Sequence, residues 1–264
     1  MELNLKNKIA VITGGSTGIG LAVAHALARE GVHLALCARH EDVLAKAAAD
    51  VKKAHGVRTF AMPVDVTRPD QILAFTAAIE KEFGGCDILI NNAGEGSNET
   101  LSEADDARWQ FFLDLLLMSA VRMSRALTPS MKKRGGGVIL NNASICALQP
   151  LPHGPIYATA KAALVMYTKC LATELIPFNI RVNAINPGLI RTAGWETGGK
   201  EQAAQQGISL DQWLQNVADQ HAPIKSFASP EEVANLFVFL ASDRASYCVG
   251  SSYYIDGGWL RVTT

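Results

Sequence analysis

The sequence predicts an α/β fold, a doubly wound parallel sheet of about seven strands with helices on both faces. Three observations carry this prediction. Short β-branched or apolar runs alternate with longer helical patterns, as parallel strands joined by helical crossovers do. A glycine-rich loop follows the first apolar run directly and opens a helical pattern. No repeat, low-complexity tract or linker divides the 264 residues, so a single domain is expected over 1–264.

Taken in order, the predicted strands are Lys8–Thr13, His33–Ala38, Thr59–Val64, Asp87–Asn91, Val138–Asn142, Arg181–Asn186 and Ser252–Ile255. Helices are predicted near 18–30, 41–55, 69–83, 103–134, 155–176 and 230–241. Right-handed crossovers between such strands put helices on both sides of the sheet. Residues 191–226 break the rhythm with Gly194, Gly198, Gly199 and Gly207, then a polar amphipathic stretch around Leu210–Gln220. An insertion this late in a sheet is expected to form a lid over a site.

Hydrophobic residues make up 48% and charged residues 19%, a composition that builds a core. The formal net charge of −1 gives no field for nucleic acid or an anionic membrane, and neither is expected as a partner. No apolar run is long enough to span a bilayer. The N-terminus carries no apolar leader before the first strand. Five cysteines without paired spacing read as free thiols, and the protein is expected to be cytoplasmic. Its six histidines lack the clustering of a metal site.

Two constellations carry chemistry. The first is Thr13-Gly14-Gly15-Ser16-Thr17-Gly18-Ile19-Gly20, between strand and helix. Glycines there let the backbone approach a pyrophosphate, which the helix N-terminus stabilises. The second is Tyr157-Ala-Thr-Ala-Lys161, a phenol and an ammonium on one helix face. A free tyrosine titrates near pH ~10, and a fixed positive charge beside it is expected to lower that value. Such a phenol suits proton transfer to a carbonyl that receives a hydride.

With these motifs the chain resembles the short-chain dehydrogenase/reductase family from end to end. The glycine spacing is Gly-x-x-x-Gly-x-Gly, and Asn91-Asn92-Ala93-Gly94 ends the fourth strand. Ser144 precedes Tyr157 by thirteen residues, Asn186-Pro187-Gly188 follows the sixth strand, and Asp256-Gly257-Gly258 lies near the C-terminus. Within the family the chain looks most like the 3-oxoacyl-[acyl-carrier-protein] reductase-like members.

The resemblance implies a Rossmann-type fold that binds a nicotinamide cofactor and exchanges hydride with a carbonyl or secondary alcohol. It implies that Tyr157 is the general acid/base, that Ser144 binds the substrate oxygen, and that Lys161 tunes Tyr157 and holds the ribose. The glycine loop, through Gly14, Ser16, Thr17, Gly18, Ile19 and Gly20, would hold the pyrophosphate. Asp65 would accept from the adenine amino group, with Val66 beside it. Asn91, Ala93 and Gly94 would line the cofactor groove. Pro187, Gly188, Ile190 and Thr192 would meet the nicotinamide side. NAD-preferring relatives usually carry an acid where Ala38 stands. Arg39 follows and can pair with a 2′-phosphate, so NADP is expected over NAD.

One position departs from the family. Seven residues after Trp109, where an asparagine is usual, the chain has Leu116. That asparagine normally steadies a local helix distortion, and leucine cannot hydrogen-bond. A non-catalytic NADP-binding regulator or scaffold is therefore the rival reading. His153, in the loop before the Tyr157 helix, reads either as a substrate contact or as a surface residue. Arg191 reads as an anion contact or a solvated charge, and Trp195 and Trp213 as an aromatic lid or as packing. The apolar run Leu113–Met118 looks hard to bury on one domain face, and the resemblance implies a homotetramer built partly on these long helices.

Overall fold

The computed structural model describes residues 2–150 and 154–261. One seven-stranded, wholly parallel sheet runs through it in the order β3-β2-β1-β4-β5-β6-β7. The strands are β1 (Ile9–Thr13), β2 (His33–Ala38), β3 (Thr59–Pro63), β4 (Ile88–Asn91), β5 (Gly137–Asn142), β6 (Ile180–Pro187) and β7 (Ser252–Ile255). Each predicted strand is present, with ends shifted by at most one residue. The central strands β1, β4 and β6 are buried along their whole length, which is why they read as continuous apolar runs.

Two apolar layers flank the sheet. Helices α1 (Gly18–Arg29), α2 (Glu41–His55) and α9 (Pro230–Ala241) pack around Leu27, Leu34 and Phe237. On the other face α3 (Pro69–Phe83), α4 (Asp106–Leu113), α5 (Ser119–Lys133) and α6 (Pro155–Leu175) enclose Phe75, Ile79 and Phe112. Phe75, Phe112 and Phe237 are fully buried. Burying each ring stabilises the fold by roughly 1.5–3 kcal/mol. Helix ends follow their local chemistry. Ser229 and Glu232 form a capping box at the start of α9, and α2 and α3 end on left-handed Gly56 and Gly84.

The long helix expected near 103–134 is not continuous. Between α4 and α5 a π-helical segment covers Asp114–Met118. The Ser119 N–H bonds to the Asp114 carbonyl, one residue beyond the α-helical partner. The Leu115 carbonyl is compensated by the Ser119 hydroxyl, which donates to it at 2.6 Å. Arg122 fixes the other side, pairing with Asp114 at 2.6 Å. This distortion also answers the burial question. Leu115 and Leu116 are buried within the chain itself, and Leu113, Leu117 and Met118 are half-buried. The apolar run therefore does not require a partner subunit to cover it.

Residues 191–226 form no open insertion. They hold α7 (Ala193–Gln206) and α8 (Leu210–His221), which pack on each other through Trp195 and Trp213, 6.3 Å between ring centroids. Trp195 also meets Phe227 edge-to-face at 5.2 Å. This aromatic layer joins Ile145 and Leu189, so the two helices rest on the loops that follow β5 and β6. Arg191 is ion-paired with Glu196 and Asp211, at 3.0 and 2.8 Å.

Candidate active site and cofactor groove

The C-terminal ends of β1, β4, β5 and β6 converge on one groove, where ligands of open parallel sheets bind. The glycine loop leaves β1 and enters α1. Gly14 adopts φ +66° and Gly18 φ +55°, left-handed values that a side chain resists. A Cβ on Gly20 would overlap the Gly14 carbonyl and the Asn92 amide, so only glycine permits this tight turn. The first turn of α1 carries no acidic residue, leaving its N–H groups to an anion. A Cβ on Gly18 would reach to 3.6 Å from Thr192 Cγ2, so Thr192 faces the loop across the groove.

The loop is clamped from β4. The Thr13 hydroxyl accepts from the backbone N–H groups of Asn92 and Ala93 at 3.0 and 3.1 Å. The Asn92 side-chain amide donates to the carbonyls of Thr13 and Gly14. Asn92, inside the Asn91–Gly94 motif, thus braces the loop from β4, a role its place in the motif does not reveal. Asn91 points the other way. Its amide donates to Asn141 at 2.8 Å in a buried network that continues through Asn141 to Thr168, so only its backbone can meet a ligand. Val66 and Ile190 likewise have buried side chains.

Two other expected cofactor contacts are engaged within the protein. The Asp65 carboxylate accepts from the Thr67 N–H and hydroxyl at 2.9 and 2.7 Å. Arg39 donates to Glu95 at 3.0 Å. Gly188 packs against Asp256, where a Cβ would come within 2.8 Å of the Asp256 Cα, and its N–H bonds to the Ile255 carbonyl. Pro187 closes β6 beside it.

Ser144, Tyr157 and Lys161 meet at this groove. Ser144 starts a short turn after β5, its hydroxyl accepting from the Cys146 N–H at 3.2 Å. The Ser144 hydroxyl faces the Tyr157 phenol closely enough to lower its pKa against the effect of burial. Lys161, one turn along α6, is buried with its nitrogen 5.7 Å from the Tyr157 ring centroid. That nitrogen donates to the Asn142 carbonyl at 2.6 Å. Asn142, unforeseen from the sequence, also donates from its side chain to Asn92, tying the lysine to the glycine-loop clamp.

The electrostatics correct one expectation. The lysine was expected to lower the Tyr157 pKa. In this structure desolvation dominates and pushes the phenol well above its usual value, opposed by the Ser144 hydroxyl. Burial also pushes Lys161 down, to about 8. Loss of water therefore outweighs any pull of the lysine on the phenol.

Leu116 stands beside this cluster. A Cβ on Gly94 would come within 2.8 Å of Leu116 Cδ2 and 3.9 Å of Lys161 Nζ. The helix distortion is thus present with leucine at its centre, and an apolar side chain fills the space next to the lysine. His153 lies outside the described residues. Among the described residues there is no group of three or more potential metal ligands, and no helix is long and apolar enough to cross a membrane. The five cysteines are free.

A family model described as enoyl-(acyl carrier protein) reductase matches residues 14–260. Curated relatives of near-equal length match over the same span. The chain belongs to the short-chain dehydrogenase/reductase family. It is similar to the L-sorbose reductase of Gluconobacter frateurii, solved with NADPH and L-sorbose, at 54% identity and TM-score 0.98 over 100% of both chains. An NAD-dependent glycerol dehydrogenase of Listeria innocua is 35% identical, covering 98% of this chain and 96% of that protein. The 3-oxoacyl-[acyl-carrier-protein] reductase of Staphylococcus epidermidis is 32% identical over 96% of this chain and 98% of that protein. As a member of this family of dehydrogenases and reductases, the protein is an oxidoreductase. The groove fits the dinucleotide such enzymes use: its glycine cradle excludes side chains and a helix N-terminus closes it.

Proposed function

We propose that the protein is an NADPH-dependent carbonyl reductase whose substrate is a polyhydroxylated ketone of the ketohexose class. The observation that carries this reading is the meeting of Ser144, Tyr157 and Lys161 at one groove, the Lys161 nitrogen 5.7 Å from the Tyr157 ring centroid on the same helix. The substrate class is supported by 54% end-to-end identity to the L-sorbose reductase. Ala38 and Arg39 favour the phosphorylated cofactor, although the glycerol dehydrogenase relative uses NAD.

Bound nicotinamide supplies the hydride that adds to the carbonyl carbon. Ser144 donates a hydrogen bond to the carbonyl oxygen and orients it. Tyr157 transfers its proton to that oxygen as negative charge develops, and the carbonyl becomes a secondary alcohol. Desolvation keeps the phenol protonated until then, so it enters the reaction as an acid. Lys161 would hold the ribose and stabilise the phenolate that forms, its nitrogen lying on the phenol's side of α6. Oxidation of the alcohol reverses each role.

Binding is distributed along the groove. The Ser16–Gly20 turn and the α1 N-terminus hold the pyrophosphate. Arg39 takes the 2′-phosphate, and Asp65 and Val66 border the adenine. The backbones of Asn91, Ala93 and Gly94 line the middle, and Pro187, Gly188, Ile190 and Thr192 border the carboxamide. Helices α7 and α8 act as the lid, moving as a unit through their shared aromatic layer. Exposed Met166 and Phe178 support the homotetramer, and the five free thiols accord with a cytoplasmic location.

Leu116 is the one observation that favours a non-catalytic cofactor-binding scaffold, because it removes the usual asparagine. NADPH consumption with a panel of ketohexoses, acyl thioesters and simple ketones separates the two. Turnover that peaks on ketohexoses supports the reading. NADPH binding with no turnover on any of them favours the scaffold.

A further inference from the structure

Arg39 and Glu95 belong to different strand ends. Arg39 follows β2, Glu95 lies four residues beyond the end of β4, and β1 runs between them. Strands two apart in a sheet are separated by about 10 Å, a gap that only a long side chain closes. The guanidinium Nη2 reaches Glu95 Oε2 at 3.0 Å. The pair therefore crosses the end of β1, the strand that feeds the glycine loop. A Cβ on Gly14 would lie 3.0 Å from the Ala93 Cα, which places the start of the Glu95 segment directly against that loop. Both side chains are partly exposed, 50% for Arg39 and 38% for Glu95, so neither is locked by packing.

We infer that Glu95 is a specificity-determining residue, its carboxylate competing with the adenosine 2′-phosphate for Arg39. The inference rests on the NADPH reading above. A phosphate that takes the guanidinium leaves Glu95 as an unpaired negative charge near a dianionic group. A cofactor lacking that phosphate leaves the ion pair in place and meets no such opposition. Glu95 thus weakens NADPH relative to NADH and narrows the preference that Arg39 creates. Only one guanidinium nitrogen is engaged by Glu95 in the structure, so the exchange can proceed one hydrogen bond at a time.

The experiment is a fluorescence titration of the full-length protein with NADPH and with NADH, which needs no substrate. Glu95→Gln is nearly isosteric at an exposed position and keeps the fold. The expected result is an NADPH dissociation constant lowered about three- to tenfold, with NADH changed less than about twofold. Unchanged or weaker NADPH binding in Glu95→Gln overturns the competition, as does an equal change for both cofactors. Arg39→Ala keeps this result apart from the cofactor assignment. If Arg39→Ala weakens NADPH and Glu95→Gln does not strengthen it, only the role of Glu95 fails. If Arg39→Ala leaves NADPH binding intact, both fail.

Discussion

Lys161 donates a 2.6 Å hydrogen bond to the Asn142 carbonyl, so the buried cation of the candidate site is anchored to β5. Asn142 in turn bonds Asn92, whose amide holds the Gly14 carbonyl. These hydrogen bonds therefore link Lys161, through Asn142 and Asn92, to the glycine loop.

The lysine makes stability depend on pH. Burial lowers Lys161 from 10.5 to about 8 in the folded chain. Between those values the unfolded lysine binds more protons, so its contribution to stability rises with pH across that window. Tyr157, raised above its usual 10.0, acts oppositely at higher pH, because the folded chain then holds the extra proton. The buried Cys37 and Cys86 thiols, pushed up to about 12, keep protons that the unfolded chain loses, so they oppose the lysine within the same window. Denaturant melts without cofactor should therefore differ between the protein and Lys161→Met, the lysine adding on the order of 1–3 kcal/mol to the change between pH 8 and 10. Lys161→Met should lose that increment. An unchanged slope in the variant would assign it to other groups.

Leu116→Asn tests the atypical position. The amide would enter a buried site beside Gly94, costing about 1–3 kcal/mol where its polar atoms lack partners. The reductase rate should remain similar or rise, because the π-helical segment is already held by Ser119 and Arg122. Thermal melting and steady-state kinetics on one preparation read both effects. A large loss of rate would mean that leucine is functionally adapted.

Gly20→Ala should disrupt the cofactor loop, because its Cβ meets the Gly14 carbonyl and the Asn92 amide. Overpacking of this kind costs about 1–3 kcal/mol. NADPH affinity measured by titration should fall at least about tenfold, as the loop shifts away from the α1 N-terminus. Retained affinity would show that the loop relaxes without cost.

Much of this was legible in the sequence. Buried parallel strands leave continuous apolar runs, and Gly14, Gly18 and Gly20 sit where backbone geometry admits little else. The π-helical segment was not placed, because a shift in backbone hydrogen-bond register leaves the apolar run Leu113–Met118 unchanged. Helix α7 was hidden by Gly194, Gly198 and Gly199, which depress helix propensity and break any apolar stripe. Asn142 escaped notice because its backbone carbonyl does the work, and a carbonyl has no residue signature. The partners of Arg39 and Asp65 likewise depend on tertiary placement or local turn geometry rather than on spacing to a motif.

Tyr157→Phe tests the central claim most directly, by NADPH consumption with a ketohexose such as L-sorbose alongside a cofactor titration. Loss of the phenolic proton should cut turnover by about 10²–10⁴ while NADPH affinity stays within about threefold of the parent. Turnover in the phenylalanine variant equal to that of the parent would contradict the account, because the proton would then come from elsewhere.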